Sequence, residues 1–246
     1  MKRIICLTKR NIKEIIREPI SLLFMIVLPL VMEVLFYYLF HSLTSQFEMR
    51  YLAPAMVGFA TTFITLFLAI LVSLDRETAF ITRIYTTPVK PHEFIFSYLF
   101  GVIPFGIIQV ILILSVGCVI DHGLLSARIL LILPASLLAI IMFASLGILI
   151  GSVFNSKAVG GIASIIVTGQ SVLSGMWFPL EGLSGGFLKF MKVLPFRNIS
   201  LLLQNVLRND VDMFNDIWLP AIILCAYTAV SLALSCIFFV KNSKAK

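Results

Sequence analysis

The chain has 246 residues, of which 60% are hydrophobic and 13% charged, and its formal net charge is +7. The charged residues collect in a few short segments between long apolar runs. This arrangement favours a polytopic helical membrane protein and excludes a soluble domain with a large core.

Six apolar runs are candidate membrane spans. An α-helix rises about 1.5 Å per residue, so it needs about 20 residues to cross roughly 30 Å of hydrocarbon. The runs cover Ile20–Phe40, Leu52–Leu74, Ile95–Ile120, Ile129–Gly151, Val159–Phe178 and Ile217–Val240. We therefore predict an all-α polytopic membrane protein with one six-helix domain over residues 20–246. The four cysteines show no paired spacing, so neither a disulfide framework nor a metal site is predicted.

The segment before the first run, residues 1–19, is predicted to be an amphipathic interface helix. Its isoleucines share one face at about 100° per residue, and its basic residues occupy a separate arc. We expect the basic arc to lie among anionic headgroups and Pro19 to end the helix. A basic leader that only sets topology is the alternative. A cleavable signal peptide is disfavoured because the run from Ile20 is too long and no small-residue cleavage site follows it.

The loop charges predict the orientation. Six spans place both termini on one side of the membrane, together with 13 of the 19 lysines and arginines. Because such residues concentrate in cytoplasmic loops, both termini are predicted to be cytoplasmic in a cell membrane, of the bacterial plasma-membrane type. Topology explains the net charge better than nucleic-acid binding, which is not predicted.

Span one contains Glu33, a carboxyl a few residues from the centre of the bilayer. Such a group costs several kcal/mol unless it is paired, protonated or in contact with water. Glu33 is therefore a candidate for the transport path, with Gln109 or Gln170 as a polar partner. The alternative is a hydrogen bond that only holds two helices together.

The segment 75–94, with the sequence DRETAFITRIYTTPVKPHEF, is a polar connector between spans two and three. Asp75 is predicted to cap a short helix that begins at Arg76 and has Glu77 in its first turn. Phe80, Ile81 and Ile84 form a small apolar stripe, with Arg83 late in the helix. Such a helix suits a cleft on a partner protein, and a solvated interfacial loop is the alternative.

The last third of the chain contains a polar span and an apolar outer segment. Span five is rich in glycine and hydroxyl residues, which points to contact with another helix or subunit rather than with lipid. The outer segment from Pro179 to Asp216 is too apolar for a solvated loop. We predict two short re-entrant-like helices between spans five and six, divided near Leu194-Pro195.

The sequence lacks the motifs of an enzyme. It has no HExxH and no GxxxxGK[ST], so no catalytic residue is predicted and the chain has no phosphate-binding loop for ATP. No selectivity-filter sequence or charged ring indicates a channel.

The order of these parts resembles the type-two ABC-transporter permease family over essentially the whole chain. The residues that carry the resemblance are Arg76-Glu77 and Thr86-Thr87-Pro88 in the connector, SGMWFPLE over residues 174–181, and Leu194-Pro195.

The resemblance implies an export permease, for example of multidrug-efflux type, that dimerises with a second copy or a paralogue and recruits two ATPase subunits. ATP and magnesium would bind in those partners, and this chain would hold no cofactor. The interface helix and the connector would grip the ATPase, and spans two and five would line the path. By position, the path residues would be Phe59, Thr62 and Phe63 with Ser164, Thr168 and Ser171. The alternative is a passive channel or a membrane scaffold without an ATPase.

Overall fold

The computed structural model describes residues 2–78, 90–126, 128–177, 185–208 and 211–244. In these residues it contains nine α-helices and no strand. The helices are α1 (Lys2–Arg17), α2 (Pro19–Phe40), α3 (Met49–Glu77), α4 (Pro91–Ile120), α5 (Ile129–Val153), α6 (Ser156–Leu173), α7 (Gly185–Val193), α8 (Pro195–Asn205) and α9 (Leu219–Lys244). A π-helical turn, Met213–Trp218, leads into α9.

Six of these helices are long and apolar enough to cross a membrane, which confirms the predicted class. They are α2 to α6 and the segment formed by the π-helical turn and α9. We call the end of the bundle that carries α1 the α1 end, and the opposite end the far end.

One predicted boundary is wrong. Asp75 does not cap a new helix, because Asp75, Arg76 and Glu77 form the last turn of α3. Hydropathy predicted that the span would end at Leu74, but the three charged side chains find partners in the folded protein. The helix therefore continues through them. Among the described residues, the helix that follows α3 begins at Pro91, whose fixed φ suits a first helical turn.

Helix α3 is the centre of the bundle. It packs against α2, α4, α5, α6 and α8. In its apolar stretch of 18 residues, 83% of the residues are buried. Small and hydroxyl residues in its sequence permit this close packing. Thr65 donates a hydrogen bond to the carbonyl oxygen of Phe143 on α5, at 2.8 Å. The α3–α5 pair is therefore joined by polar as well as apolar contacts.

Two glycines of α5 allow its close approach to α3. A Cβ atom at Gly147 would lie 2.7 Å from the carbonyl oxygen of Thr65, and one at Gly151 would lie 2.7 Å from that of Ala69. Real Cβ atoms do not approach backbone atoms so closely. These positions therefore require glycine for packing.

Helix α1 packs along α4 rather than lying only in a lipid interface. Asn11 and Ile15 are buried, and Asn11 donates a hydrogen bond to the hydroxyl of Ser97 at 3.1 Å. Ile5 and Ile16 stay exposed, so the predicted apolar face is divided between protein and surroundings. The expectation that the whole basic arc meets headgroups is wrong for Arg10, which bonds to Asp75.

At the far end, α7 and α8 are the two short helices that were predicted, and they meet at Leu194-Pro195. Helix α8 is covered by protein, since Ile199 and Leu203 are fully buried. Helix α7 presents Phe187 and Phe190 to its surroundings. The two short helices are thus shielded differently.

We predict that Gly151→Ala lowers the free energy of unfolding by about 1–3 kcal/mol, because overpacking displaces α3 from α5. Gly160→Ala on α6 is the matched control, since a Cβ atom there meets nothing within 4 Å. Thermal unfolding of the purified protein in detergent measures both variants. Equal midpoints for the two would contradict the close α3–α5 contact.

Candidate coupling site and transport groove

The charged end of α3 is held by a network of side chains around Asp75. The Arg10 guanidinium on α1 donates two hydrogen bonds to this carboxylate, one of them 2.6 Å long from Nη2 to Oδ1. The Tyr98 hydroxyl on α4 donates to Oδ2 at 2.5 Å. Tyr98 is fully buried, and only 7% of the Asp75 side chain is exposed. The carboxylate therefore joins three helices at one point.

The electrostatics of this network favour a charged Arg10. Burial acts to lower the pKa of the Arg10 guanidinium, but the hydrogen bonds and charge of Asp75 outweigh burial and raise it. Arginine is already protonated at every physiological pH. The network therefore keeps its cation across that range.

Arg76 and Glu77 extend the network to two more helices. Arg76 donates to the carbonyl oxygen of Gly151 at 2.7 Å and to that of Phe154 at 3.2 Å, at the end of α5. Glu77 accepts hydrogen bonds from the backbone N–H and the hydroxyl of Ser156, at 2.8 and 2.5 Å. A carboxylate is stabilised at this position because Ser156 begins α6, where the helix dipole is positive.

We call Asp75, Arg76 and Glu77 the α3 hub. It connects the last turn of the most buried helix with α1, α4, α5 and α6. Of the six residues predicted to couple to an ATPase, Arg76 and Glu77 belong to this hub. The other four, Phe80, Ile81, Arg83 and Ile84, lie outside the described residues.

Sequence reasoning missed Arg10, Asn11 and Tyr98 as members of this site. Arg10 was grouped with the other basic residues of α1, and Tyr98 lies in an apolar run. Asn11 carried one signal, since it is a polar residue beside the apolar face of an amphipathic helix. Its burial against Ser97 explains that position.

The predicted path residue Phe63 lies in a groove between α2 and α3. The groove has a volume of about 160 Å³ and is almost wholly apolar. Its lining comes from the half of both helices nearer the α1 end: Ile20, Ser21, Phe24 and Met25, with Phe63, Leu66, Phe67 and Ile70. Phe63, Leu66 and Ile70 form a half-exposed stripe on the largely buried α3. An apolar or amphipathic molecule suits this lining.

Aromatic side chains close the far end of this region. Phe59 packs edge-on against Phe63, with ring centroids 5.3 Å apart, and against Trp177 at 6.1 Å. Trp177 also contacts Phe36 on α2 at 4.4 Å. Phe59 is thus part of an aromatic cluster that joins α2, α3 and the residues after α6. The tryptophan of the SGMWFPLE motif is a member of this cluster.

Arg197 joins two helices at the far end. Its guanidinium donates to the carbonyl oxygen of Ser174 at 3.0 Å and so joins α8 to the end of α6. Burial lowers the pKa of Arg197. Gln170 on α6 donates to the Ser200 hydroxyl on α8 at 3.2 Å, which makes a second bond between these helices.

The structure does not bring the remaining predicted path residues together within the chain. Thr62 is buried and donates to the carbonyl oxygen of Phe59 at 2.5 Å. Ser164 and Thr168 are exposed on the α6 face opposite its packed residues, while Ser171 is half-buried. The hydroxyls of Ser164 and Thr168 donate to carbonyl oxygens of their own helix.

Glu33 is fully buried, and neither of its carboxyl oxygens has a hydrogen-bond partner among the residues that the structure describes. Neither predicted partner reaches it. Gln109 donates to the carbonyl oxygens of Met25 and Ala60, at 2.5 and 3.1 Å, and Gln170 bonds to Ser200. A packing hydrogen bond therefore does not explain this carboxyl.

We predict that Asp75→Asn lowers the free energy of unfolding by about 1–3 kcal/mol, because it removes the anion that Arg10 was buried against. Tyr98→Phe removes one hydrogen bond, for which we expect about 0.5–1.5 kcal/mol. Thermal unfolding in detergent measures both changes.

Glu14→Gln is the control for Asp75→Asn. Glu14 approaches the Arg10 Nε at 3.9 Å on a more exposed surface, so its loss should cost less than about 1 kcal/mol. A loss at Asp75 no larger than the loss at Glu14 would show that the α3 hub does not hold α1.

Comparisons with known proteins agree with this architecture. The family model described as ABC-2 type transporter matches residues 2–207, which is well over half of the chain. The comparison with curated proteins gave no match. The match includes α1, the α3 hub and the far-end helices α7 and α8. The chain therefore belongs to the ABC-2 type transporter family and is a membrane-spanning permease subunit of an ABC transporter.

Proposed function

We propose that this permease exports a hydrophobic or amphipathic substrate from the cytoplasm, as a dimer that is driven by two ATPase subunits. The observation that carries the proposal is the α3 hub. The helix that ends there lies at the centre of the bundle and supplies part of the groove, and the chain runs on from it into the connector. Force on the connector or on α1 therefore reaches the groove through bonded side chains.

The proposed orientation rests on the distribution of charge. By sequence position, 13 of the 19 lysines and arginines lie in the termini and in the loops predicted on the same side, and the other loops hold six. Because basic residues are retained on the cytoplasmic side, the α1 end is cytoplasmic in this proposal. The connector and α1 then face the compartment that holds ATP.

In the proposed export, the two ends of the groove set the order of events. The lining of the groove begins at Ile20 and Ser21 in the first turn of α2, at the α1 end. Towards the far end it meets the aromatic cluster of Phe36, Phe59 and Trp177. A substrate that enters from the inner leaflet would reach this cluster last. Export then requires that the cluster open, and in the reverse direction the cluster would meet the substrate first.

The exposed face of α6 supports a dimer. This helix has a mean hydropathy of 1.2, against 2.3 to 2.6 for the other spans. Gly161, Ser164 and Thr168 make a smooth polar strip there, and their carbonyl and hydroxyl groups are bonded within the helix. Small residues of this kind promote close helix contact in membranes more than contact with lipid. A second permease is the proposed occupant of this face.

In the proposed cycle, ATP and Mg²⁺ bind in the partner subunits, and this chain holds neither. Closure of the ATPases displaces the connector and α1. The α3 hub passes that displacement to α4, α5 and α6 together, as a rigid-body movement that alternates access to the groove.

We expect Phe80→Ala and Arg83→Ala in the connector to weaken binding of the ATPase about tenfold or more, or to uncouple hydrolysis from transport. Anchors that fill a partner's cleft are commonly aromatic or arginine, and tenfold corresponds to about 1.4 kcal/mol. Co-purification of the ATPase and substrate-stimulated ATP hydrolysis in reconstituted vesicles measure the two effects.

Lys157→Ala is the control for the connector variants, because Lys157 is an exposed cation at the same end of the bundle. It should keep the partner and full stimulated hydrolysis. Full retention of both by Phe80→Ala and Arg83→Ala would remove the connector as the docking element and leave α1 as the better candidate.

We expect Thr168→Cys, in a chain without its native cysteines, to form a disulfide-linked permease dimer on mild oxidation in membranes. The proposed contact brings this position close to its counterpart in the second copy. Gel electrophoresis without reductant measures the product.

Ile222→Cys on α9 is the matched control, since Ile222 is also exposed near the far end but lies on a different helix. It should stay monomeric. Equal cross-linking at both positions would indicate random collision, and none at Thr168 would argue against a homodimer through α6.

A further inference from the structure

The carboxyl of Glu33 lies where three helices meet in the far half of the bundle. A Cβ atom at Gly117 on α4 would lie 3.4 Å from its Oε1 and 3.2 Å from Ala53 on α3. Glu33 itself is on α2. The absence of a side chain at Gly117 leaves room for the carboxyl between these helices.

A polar cavity of about 260 Å³ lies about one helical turn farther out. Tyr37, Met49 and Asp121 contribute to its wall, and each is four residues along the chain from Glu33, Ala53 and Gly117 respectively. Four residues on a helix correspond to about 6 Å. The same three helices therefore hold the carboxyl at one level and the cavity at the next. We call this cavity the far-end vestibule.

The charge state of Glu33 follows from its surroundings. A carboxylate that is removed from water and accepts no hydrogen bond costs several kcal/mol, whereas the neutral acid costs much less. Glu33 is 0% exposed and has no partner among the described groups. The neutral acid is thus the form that this closed packing accommodates, and ionisation requires water or a separation of α2 from α3 and α4.

Several ionisable and charged groups lie near Glu33 or line the vestibule. Cys118 is the neighbour on α4, and Asp121 follows beyond it. The vestibule adds Tyr37 on α2 and His41 just after it, with Glu48 just before α3 and Arg50 in the first turn of α3. None of these groups hydrogen-bonds to Glu33. Their mixed charges and the size of the cavity suit a space that holds water.

We propose that Glu33 is a proton-binding site that communicates with the outer surface through the far-end vestibule. The carboxyl oxygen holds the proton while the three helices are packed together. When α2 moves away from α3 and α4, the proton passes to water in the vestibule and the carboxylate remains. The inference rests on the proposed function only for naming the far end as the outer surface, because proton binding needs neither export nor an ATPase.

Infrared spectroscopy of the purified permease in lipid nanodiscs tests the site directly. At pH 7, where an ordinary glutamate is ionised, the wild type should show a carboxylic-acid C=O band that Glu33→Gln lacks. Superimposable acid bands in the two proteins would mean that Glu33 is ionised, which would overturn the proposal.

The route through the vestibule is tested with a pair of neighbouring tyrosines. Tyr37→Ala removes part of the vestibule wall, so water should reach Glu33. The acid band should then disappear at a pH at least about one unit lower than in the wild type, which is a tenfold change in proton affinity. Tyr38→Ala is the matched control, because Tyr38 is 66% exposed on another face of α2. It should leave the titration unchanged.

Two outcomes would overturn this route. An unshifted titration in Tyr37→Ala would mean that the vestibule does not lead to Glu33. An equal shift in Tyr38→Ala would mean that general loosening of α2 causes the change. Neither outcome bears on ATPase binding or on dimer formation, so the proposed function is judged separately.

Discussion

The structure depends on the burial of α3. A helix that is covered on nearly every side within a membrane must satisfy its polar groups inside the protein, because neither lipid nor water surrounds it. The α3 hub meets this requirement for the charged turn by using Arg10, Tyr98 and Ser156 as partners. At mid-span, the Thr65 hydroxyl meets the same requirement by donating a hydrogen bond to a backbone carbonyl of α5. The neighbouring helices are thereby placed in register around α3.

The two ends of the bundle are fixed by different chemistry. Ionic and hydrogen-bonded contacts join the helices at the α1 end, where Arg10 and Asp75 meet. At the far end, aromatic contacts among Phe36, Phe59 and Trp177 join α2 to α3, while hydrogen bonds join α6 to α8. Charge-assisted hydrogen bonds hold a defined geometry and are roughly twice as strong as neutral ones, whereas an aromatic pair contributes only about 0.5–1.5 kcal/mol beyond its area burial. A displacement at the α1 end would therefore be transmitted intact, and the aromatic contact of α2 with α3 at the far end would be the part that rearranges.

Hydropathy predicted the spans well because each apolar run is long, and Pro195 marked the boundary between α7 and α8. The Asp75 network was not predictable in this way. Arg10 and Asp75 are 65 residues apart, and no periodicity says which distant helix will cover a face. The same limit applies to the proposed path. Thr62 and Ser164 are both hydroxyl residues in spans, yet one is buried and the other exposed, because α3 is surrounded by helices and α6 is not.

The bonding pattern also distinguishes α2 from the other spans. Helices α4, α5 and α6 each share a side-chain hydrogen bond with the α3 hub. In the described residues, α2 has one side-chain hydrogen bond to another span, from Gln109 to the carbonyl oxygen of Met25. The other contacts of α2 with the spans are apolar, and much of the surface of α2 is exposed. Separation of α2 from α3 thus breaks the fewest polar bonds. Because the groove and Glu33 both lie at that boundary, one movement would change access to both.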